Sequence, residues 1–216
     1  MLTRSKSTAV MKLQHRYLGA IAALILISLL SSVSGLSLQY QITNSWDGFL
    51  WGVADPVLHL DSLARILGIG LISTGIVHGS FVTMSFVFAS LLGVLTHLST
   101  FHLPGAEIAI AIFTIGFGTI LVMPHQPNWL VVVILGAIAG LLQGYVSGQA
   151  INGIDIISLL AYTLGFSLTQ YAIATSTRRM VRDSLSTIIR FAGFTFIAIG
   201  FVFSGNLLNF LGSANF

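Results

Sequence analysis

Long apolar stretches dominate the chain, and only short polar segments separate them. A helix needs about 20 mostly apolar residues to cross a bilayer. Runs such as AIAALILISLL and FTFIAIGFVF lack the alternation of membrane barrel strands. The pattern therefore predicts an all-α, polytopic membrane helical bundle with seven spans, at about residues 17–37, 61–78, 80–97, 104–123, 128–148, 155–175 and 187–211.

The composition supports a membrane protein. Of 216 residues, 55% are apolar and only 7% are charged, whereas soluble domains carry roughly 25% charged residues. The absence of cysteine excludes disulfides and thiolate metal sites. The formal charge of +3 does not indicate nucleic acid, because the basic residues lie at the ends of predicted spans and not on one surface.

The basic residues also predict an orientation, since lysines and arginines near span ends stay on the cytoplasmic side. With seven spans both basic groups fall on that side, and most acidic residues fall near the other. We expect a multi-pass protein of the cell membrane with an external C-terminus. The basic groups are Arg4, Lys6, Lys12 and Arg16 before the first span, and Arg178, Arg179, Arg182 and Arg190 around the last connection.

The first apolar segment allows two interpretations. Its basic lead, its apolar stretch and the small residues Ser32-Val33-Ser34 also describe a cleaved signal peptide. In that case six spans remain, and their orientation is unchanged. We expect a polar cytoplasmic N-terminus at 1–16, a first span or signal peptide at 17–37, and one transmembrane domain at 47–211.

A stripe of glycines recurs every four residues along the fifth span, at Gly136, Gly140, Gly144 and Gly148. Another backbone can approach a helix closely on a face without side chains. We expect this face to pack against a helix, with a homo-oligomer or a membrane-complex partner as possible occupants. A path lined by backbone carbonyl groups is the alternative.

Ionisable side chains inside a membrane are costly and mark candidate sites. Asp55, His59, Asp61 and Arg65 lie close together around the start of the second span. If the helix begins at Pro56, Asp55 suits its N-cap, and Asp61 and Arg65 share a face one turn apart. These residues either cap the helix and form an internal ion pair or bind a cation. The permanent charge of Arg65 disfavours cation binding.

Glu107, near the start of the fourth span, allows the same two roles, because the helix N-terminus also stabilises a carboxylate. Polar pairs inside apolar helices are expected to form hydrogen bonds between helices; these pairs are Gln143 with Ser147 and Thr169 with Gln170. Four histidines at span ends or in loops are expected to be interfacial and not ligands, namely His78, His97, His102 and His125.

No catalytic signature is present. The chain has neither a GxxxxGK[ST] phosphate loop nor a G-x-S-x-G nucleophile elbow. We therefore expect no enzymatic activity and no permanently bound cofactor.

Four segments together resemble the HupE/UreJ family of hydrogenase- and urease-associated nickel permeases. They are GFLWGVADPVLHLDSLARILGIGL, LPGAEIAIAIFTIGFG, LLQGYVSGQ and AYTLGFSLTQYAIA, and the resemblance covers about residues 47–211. It implies a membrane permease whose transported ion is nickel or cobalt.

The resemblance retains the spacing of the family motifs but not their histidines. The first family motif is His-Pro-x-x-Gly-x-Asp-His. Here Pro56 and Asp61 match it, whereas Asp55, His59 and Ser62 replace the first histidine, the glycine and the second histidine.

Later motifs show the same departure. The family's His-Gly-x-x-His-Gly keeps its glycines, and Gln143 and Ser147 replace its histidines. A histidine expected late in the sixth span corresponds to Ala174. The retained positions are Pro104, Gly105 and Glu107 of Pro-Gly-x-Glu and Tyr162, Gly165 and Phe166 of Tyr-x-x-Gly-Phe.

Two functions remain open. The first is secondary transport of a divalent cation, nickel or cobalt by the resemblance, with Asp55, His59, Asp61 and Glu107 as its ligands. The second is a transport-inactive homologue that acts as a structural or regulatory subunit of a membrane complex. Nickel and cobalt favour imidazole ligands, so the lost histidines favour the second. Of the two we expect transport, because three acidic residues remain near the predicted outer edge.

Overall fold

The computed structural model describes residues 19–31, 42–96, 105–123, 127–149, 151, 153–181 and 189–201, except for the side chain of Glu107. Within these ranges every regular element is a helix, which confirms the all-α part of the predicted fold. The predicted N-terminal segment 1–16 and the Ser32-Val33-Ser34 signal lie outside the described residues. The helices are α1 (Gly19–Ser31), α2 (Ser45–Leu58), α3 (Leu60–Thr74), α4 (Gly79–Thr96), α5 (Ala106–Val122), α6 (Trp129–Gln149), α7 (Ile156–Val181) and α8 (Ile189–Phe201).

Three of the described helices, α4, α6 and α7, are long and apolar enough to cross a membrane. Helices α2 and α3 meet this criterion only together, and they are bent by 78° at their junction. Helices α1 and α8 and the apolar part of α5 are shorter. By length and composition the described part of the chain therefore has three clear candidate spans, or four if the bent pair is one broken span, and seven spans are not confirmed.

The sequence did not predict α2. The side chain of Asn44 accepts a hydrogen bond from the Asp47 backbone N–H and caps the helix start. Pro56 lies inside α2, and the helix ends two residues later, as expected where proline removes a backbone donor. The prediction that Asp55 caps a helix beginning at Pro56 is wrong. The start signal at Asn44 lies upstream, and Asp55 is buried within α2.

Helices α4 and α6 form the most extensive contact in the molecule. A Cβ atom on Gly140 would overlap the carbonyl oxygen of Phe86, and one on Gly144 would overlap that of Ser90. The glycine stripe therefore packs against α4 of the same chain, which confirms its predicted role in helix packing. Helix α4 of the same chain occupies this face at Gly140 and Gly144, and a partner protein at the Gly136/Gly140/Gly144/Gly148 face stays a prediction.

The α2–α3 pair runs alongside α7 in the same direction. Glycines again permit the close approach: a Cβ atom on Gly48 would overlap the Ser158 carbonyl oxygen, and Gly70 of α3 lies against Thr177. Helix α7 has 26 residues, or about 39 Å at 1.5 Å per residue. Because the pair meets α7 at Ser158 near its start and at Thr177 near its end, the junction between α2 and α3 lies about half-way along α7.

The charged residues at the ends of the bundle are separated by sign. Arg178 and Arg179 lie in the last turn of α7, next to the start of α4. Asp47 lies in the first turn of α2 and Asp155 directly before α7, at the other end. This separation is the one that the sequence predicted, although the identity of the cytoplasmic end remains a prediction.

Candidate functional site

A cluster of polar side chains occupies the interior of the bundle where α3 meets α6. Arg65 Nη2 donates to Asp61 Oδ2 at 2.7 Å, and Arg65 Nε donates to Gln143 Oε1 of α6. Gln143 Nε2 donates to Ser62 Oγ at 2.6 Å. Asp61, Ser62, Arg65 and Gln143 are called the arginine cluster below.

Burial differs between the two charged members of the arginine cluster. The Arg65 side chain is 5% exposed and that of Asp61 is 36% exposed. A buried cation needs a charged or hydrogen-bonding partner, because burial removes its hydration. Asp61 and Gln143 satisfy that need, which confirms the predicted ion pair and the predicted interhelical hydrogen bond of Gln143. Another cation at Asp61 would have to share the carboxylate with the guanidinium, which bonds to Oδ2, or displace it.

A second pair, Asp55 and His59, lies at the junction of α2 and α3. Asp55 Oδ1 lies 3.2 Å from His59 Nδ1, and the Asp55 side chain is 3% exposed whereas that of His59 is 47% exposed. The backbone N–H of His59 also bonds to the Asp55 carbonyl oxygen at 3.3 Å. The pair therefore closes the last turn of α2 and can offer at most one carboxylate and one imidazole to a ligand.

The described residues include no group of three or more His, Cys, Asp or Glu side chains that could hold a metal ion. Of the four predicted ligands, Asp55 contacts His59, and Asp61 contacts Arg65. Glu107 is the second residue of α5, after Gly105, which adopts a φ of 81° and provides no side-chain cap. The Glu107 side chain lies outside the described part, so its role stays a prediction.

The other polar predictions have mixed outcomes. Gln170 Oε1 accepts a hydrogen bond from Ser90 Oγ of α4 at 2.7 Å, as expected for an interhelical contact. Thr169 bonds instead to the Gly165 carbonyl oxygen of its own helix. His78 is exposed, and its ring centroid lies 5.0 Å from that of Trp129. His97, His102 and His125 lie outside the described residues.

Sequence reasoning did not find the contact between Arg65 and Gln143. The two residues are 78 positions apart, and no local spacing connects them. One signal pointed to it: an arginine inside an apolar helix needs more hydrogen-bond acceptors than one carboxylate supplies. A glutamine inside another apolar helix is a natural partner.

Comparison with known proteins supports the similarity of the motifs. Residues 12–203 match the family described as HupE / UreJ protein, which covers most of the chain. No significant match was found among curated proteins or among solved structures. The family match extends over all eight described helices, including the broken α2–α3 pair and the arginine cluster. The chain therefore belongs to the HupE/UreJ family.

Proposed function

We propose that this chain is a transport-inactive member of its family and acts as a structural or regulatory subunit of a membrane complex. The observation that carries the proposal is the arginine cluster. A guanidinium, which remains protonated in proteins, lies between Asp61 and Gln143 inside the bundle. The chain therefore carries its own cation at this position.

The resemblance gives this position added meaning. Ser62 and Gln143 replace histidines of two separate family motifs, and here they are hydrogen bonded to each other at 2.6 Å. Asp61 is the carboxylate that the first motif retains. Three matched motif positions thus surround Arg65. Both imidazoles that nickel or cobalt would favour are missing, and a positive charge lies in their place.

This proposal replaces the expected metal site of Asp55, His59, Asp61 and Glu107. An arriving divalent cation would have to share Asp61 with Arg65 or separate the two, and in either case it would lie close to a buried positive charge. Repulsion between two cations in a low-dielectric interior is strong. The close glycine contacts between α4 and α6 support a helix framework that packs without the imidazoles.

Transport of a divalent cation is the second candidate, and one observation favours it. The α2–α3 pair is bent by 78° about half-way along α7, and Asp55, His59 and Asp61 flank the bend. Broken helices with polar groups near the middle of a membrane are typical of transporter sites. In this alternative Asp61 exchanges Arg65 for nickel or cobalt, and Glu107 completes the site from α5.

Uptake of radiolabelled nickel, cobalt or manganese into reconstituted vesicles distinguishes the two functions. We expect the wild-type chain to match empty vesicles, while a family member that retains the histidines shows uptake in the same assay. Asp155→Asn is the matched control, because it removes an exposed carboxylate far from the cluster. Uptake by the wild type and Asp155→Asn that disappears in Asp61→Asn would overturn the proposal and establish transport.

The subunit role has its own test. Gentle detergent extraction from native membranes should release the 23.1 kDa chain in an assembly of larger, reproducible size with other proteins in fixed ratio. A chain that migrates alone, or only with copies of itself, contradicts the role in a complex.

A further inference from the structure

A cavity of about 270 Å³ lies between the start of α4 and the end of α7, away from the arginine cluster. It is at the basic end of the bundle, and no acidic residue is among its described lining residues. The side chains that line it are Ser80, Thr83, Tyr171, Thr175, Arg178 and Arg179.

The cavity combines two sources of positive charge. Arg178 Nη1 donates to Ser80 Oγ at 2.7 Å, which holds the guanidinium across the gap between the two helices. The first turn of α4 contains no acidic residue. The Gly79 and Phe81 N–H groups of this turn bond to the Ile76 and His78 carbonyl oxygens, and the dipole of α4 gives the helix start a partial positive charge. An anion at this position would meet both.

A buried hydroxyl in the cavity wall points independently to a ligand. Thr83 is 1% exposed, and its Oγ1 has no hydrogen-bond partner among the described residues. Comparable buried threonines donate to a carbonyl oxygen four residues earlier, as Thr163 does to Leu159 and Thr177 does to Ile173, each at 2.8 Å. A buried hydroxyl without a partner is costly. If the Thr83 side chain turned toward the cavity that it lines, its hydroxyl would donate to a ligand that supplies the acceptor.

We propose that this cavity binds a phosphate group, and that the headgroup of an anionic phospholipid supplies it. Phosphate oxygens accept hydrogen bonds from guanidinium, hydroxyl and backbone N–H groups together. Basic pockets between membrane helices are a known mode of binding anionic headgroups. The acyl chains would lie on the exposed apolar side chains next to the cavity, since Met84 is 45% exposed and Leu168 is 60% exposed.

The experiment uses the full chain in phosphatidylcholine micelles and follows its thermal unfolding midpoint. Phosphatidylglycerol, additional phosphatidylcholine and inorganic phosphate are titrated separately. We expect phosphatidylglycerol to raise the midpoint of the wild type, whereas phosphatidylcholine and inorganic phosphate leave it unchanged. Arg178→Gln should weaken the apparent affinity for phosphatidylglycerol about tenfold, the size of one lost charge-assisted hydrogen bond.

Two further variants separate a specific site from general attraction. Thr83→Val should weaken lipid binding severalfold without lowering the lipid-free midpoint, because its hydroxyl has no protein partner. Thr163→Val, which removes a bonded hydroxyl, should lower that midpoint. Arg190→Gln removes an equal charge from α8, outside the cavity lining, and should bind as the wild type does.

Each other outcome overturns part or all of the proposal. If phosphatidylglycerol raised the unfolding midpoints of the wild type, Arg178→Gln and Thr83→Val equally, the site would be ruled out. If Arg190→Gln and Arg178→Gln lost the same amount of affinity for phosphatidylglycerol, the lipid would be attracted to the basic surface in general and not to this cavity. A full effect of inorganic phosphate that Arg178→Gln abolishes would keep the phosphate site and overturn its lipid source.

Discussion

At the scale of single residues, the unequal burial of Asp61 and Arg65 decides which of them the fold depends on more. Arg65 is almost fully buried, whereas about a third of the Asp61 side chain is exposed. Removal of the Asp61 carboxylate leaves the buried charge of Arg65 without compensation. Removal of the Arg65 guanidinium leaves the charge of Asp61, which solvent or lipid headgroups can still reach. The two changes should therefore differ in cost.

We predict that Asp61→Asn destabilises the protein by about 3–5 kcal/mol, the range for an uncompensated buried charge. Arg65→Gln should cost less, about 1–3 kcal/mol, since it leaves a partly exposed carboxylate and unpaired polar groups. The measurement is the free energy of unfolding in detergent by chemical denaturation. The double variant Asp61→Asn/Arg65→Gln should be more stable than Asp61→Asn alone, and additive losses in the double variant would contradict the pairing.

The sequence predicted part of this cluster. Asp61 and Arg65 are four residues apart, which places them on one face of any helix that contains both. The partners of Arg65 on α6 and of Gln170 on α4 depend on how helices are arranged in space. The spacing of residues along the sequence does not show which helices are neighbours. Only the presence of polar residues inside apolar helices indicated that Arg65, Gln143 and Gln170 would need partners.

At the scale of helices, close packing depends on a few glycines. A Cβ atom on Gly140 would overlap the Phe86 backbone, whereas one on Gly116 of α5 would meet nothing within 4 Å. Backbone atoms cannot move away as a flexible side chain can, so α4 and α6 would have to separate. Other contacts along both helices would then weaken.

We predict that Gly140→Ala destabilises the protein by about 1–3 kcal/mol, the usual cost of overpacking, and that Gly116→Ala does not. Both variants add the same methyl group to an apolar helix, which makes Gly116→Ala a matched control. Thermal unfolding in detergent measures the difference. Equal midpoints for the two variants would show that the α4–α6 contact is looser than described.

The start of α7 gives a pH-dependent prediction. The side-chain hydroxyl and backbone N–H of Ser158, with the Ile157 N–H, hold the pKa of Asp155 below its usual value. Its contribution to stability is therefore complete above the unfolded-state pKa of about 3.9 and is lost as the pH falls through the lower folded-state pKa.

We expect Asp155→Ala to unfold at a lower temperature than the wild type by the same margin from pH 5 to pH 8, a range above both pKa values. The margin should narrow below about pH 4. Ile156→Ala, next in the chain but without a capping side chain, should show no such narrowing. A margin independent of pH throughout would contradict the role of the ionised carboxylate.

The helix boundaries show where sequence patterns were informative. Long apolar runs placed both ends of α4 and α6 and the start of α7 to within one residue, but α7 continues to Val181, beyond the predicted end at residue 175. They did not reveal α2, because SWDGFLWGVADPVL mixes glycines, acids and a proline with apolar residues. This segment packs on α7 through Gly48 and Gly52, a contact between distant parts of the chain that the local pattern does not reveal.

At the scale of the whole molecule, the two ends of the α2–α3 pair lie at opposite ends of the bundle. The start of α2 lies at the Asp155 end of α7, and the connection after α3 lies at the Arg178 end. Trp46 near the first end is 65% exposed and Val77 near the second is 90% exposed. These two positions should therefore be reached from opposite sides of the membrane.

The absence of cysteine allows this to be tested without background labelling. We predict that a membrane-impermeant maleimide labels Trp46→Cys in intact cells and labels Val77→Cys only after permeabilisation, since the basic end is expected to be cytoplasmic. Arg179→Cys should behave as Val77→Cys does. Labelling of positions 46 and 77 from the same side would show that the pair enters and leaves on one face.

The number of passes could not be read from hydropathy alone. Each predicted window from 61–78 onward corresponds to one described helix, but α5 has only 17 residues and α8 is shorter still in its described part. The length of an apolar run shows how much of the sequence a bilayer would tolerate. The length of the folded helix also depends on how far the helices packed against it extend.

The broken pair also has a consequence for biogenesis. Helices α2 and α3 contain Asp55, Asp61 and Arg65 and are apolar enough to span only when taken together. Their main packing partner is α7, which the ribosome makes only after α4, α5 and α6. Until α6 and α7 are made, Arg65 lacks its Gln143 partner and α2 lacks the helix on which it packs. We therefore expect this early segment to complete its integration only late in translation.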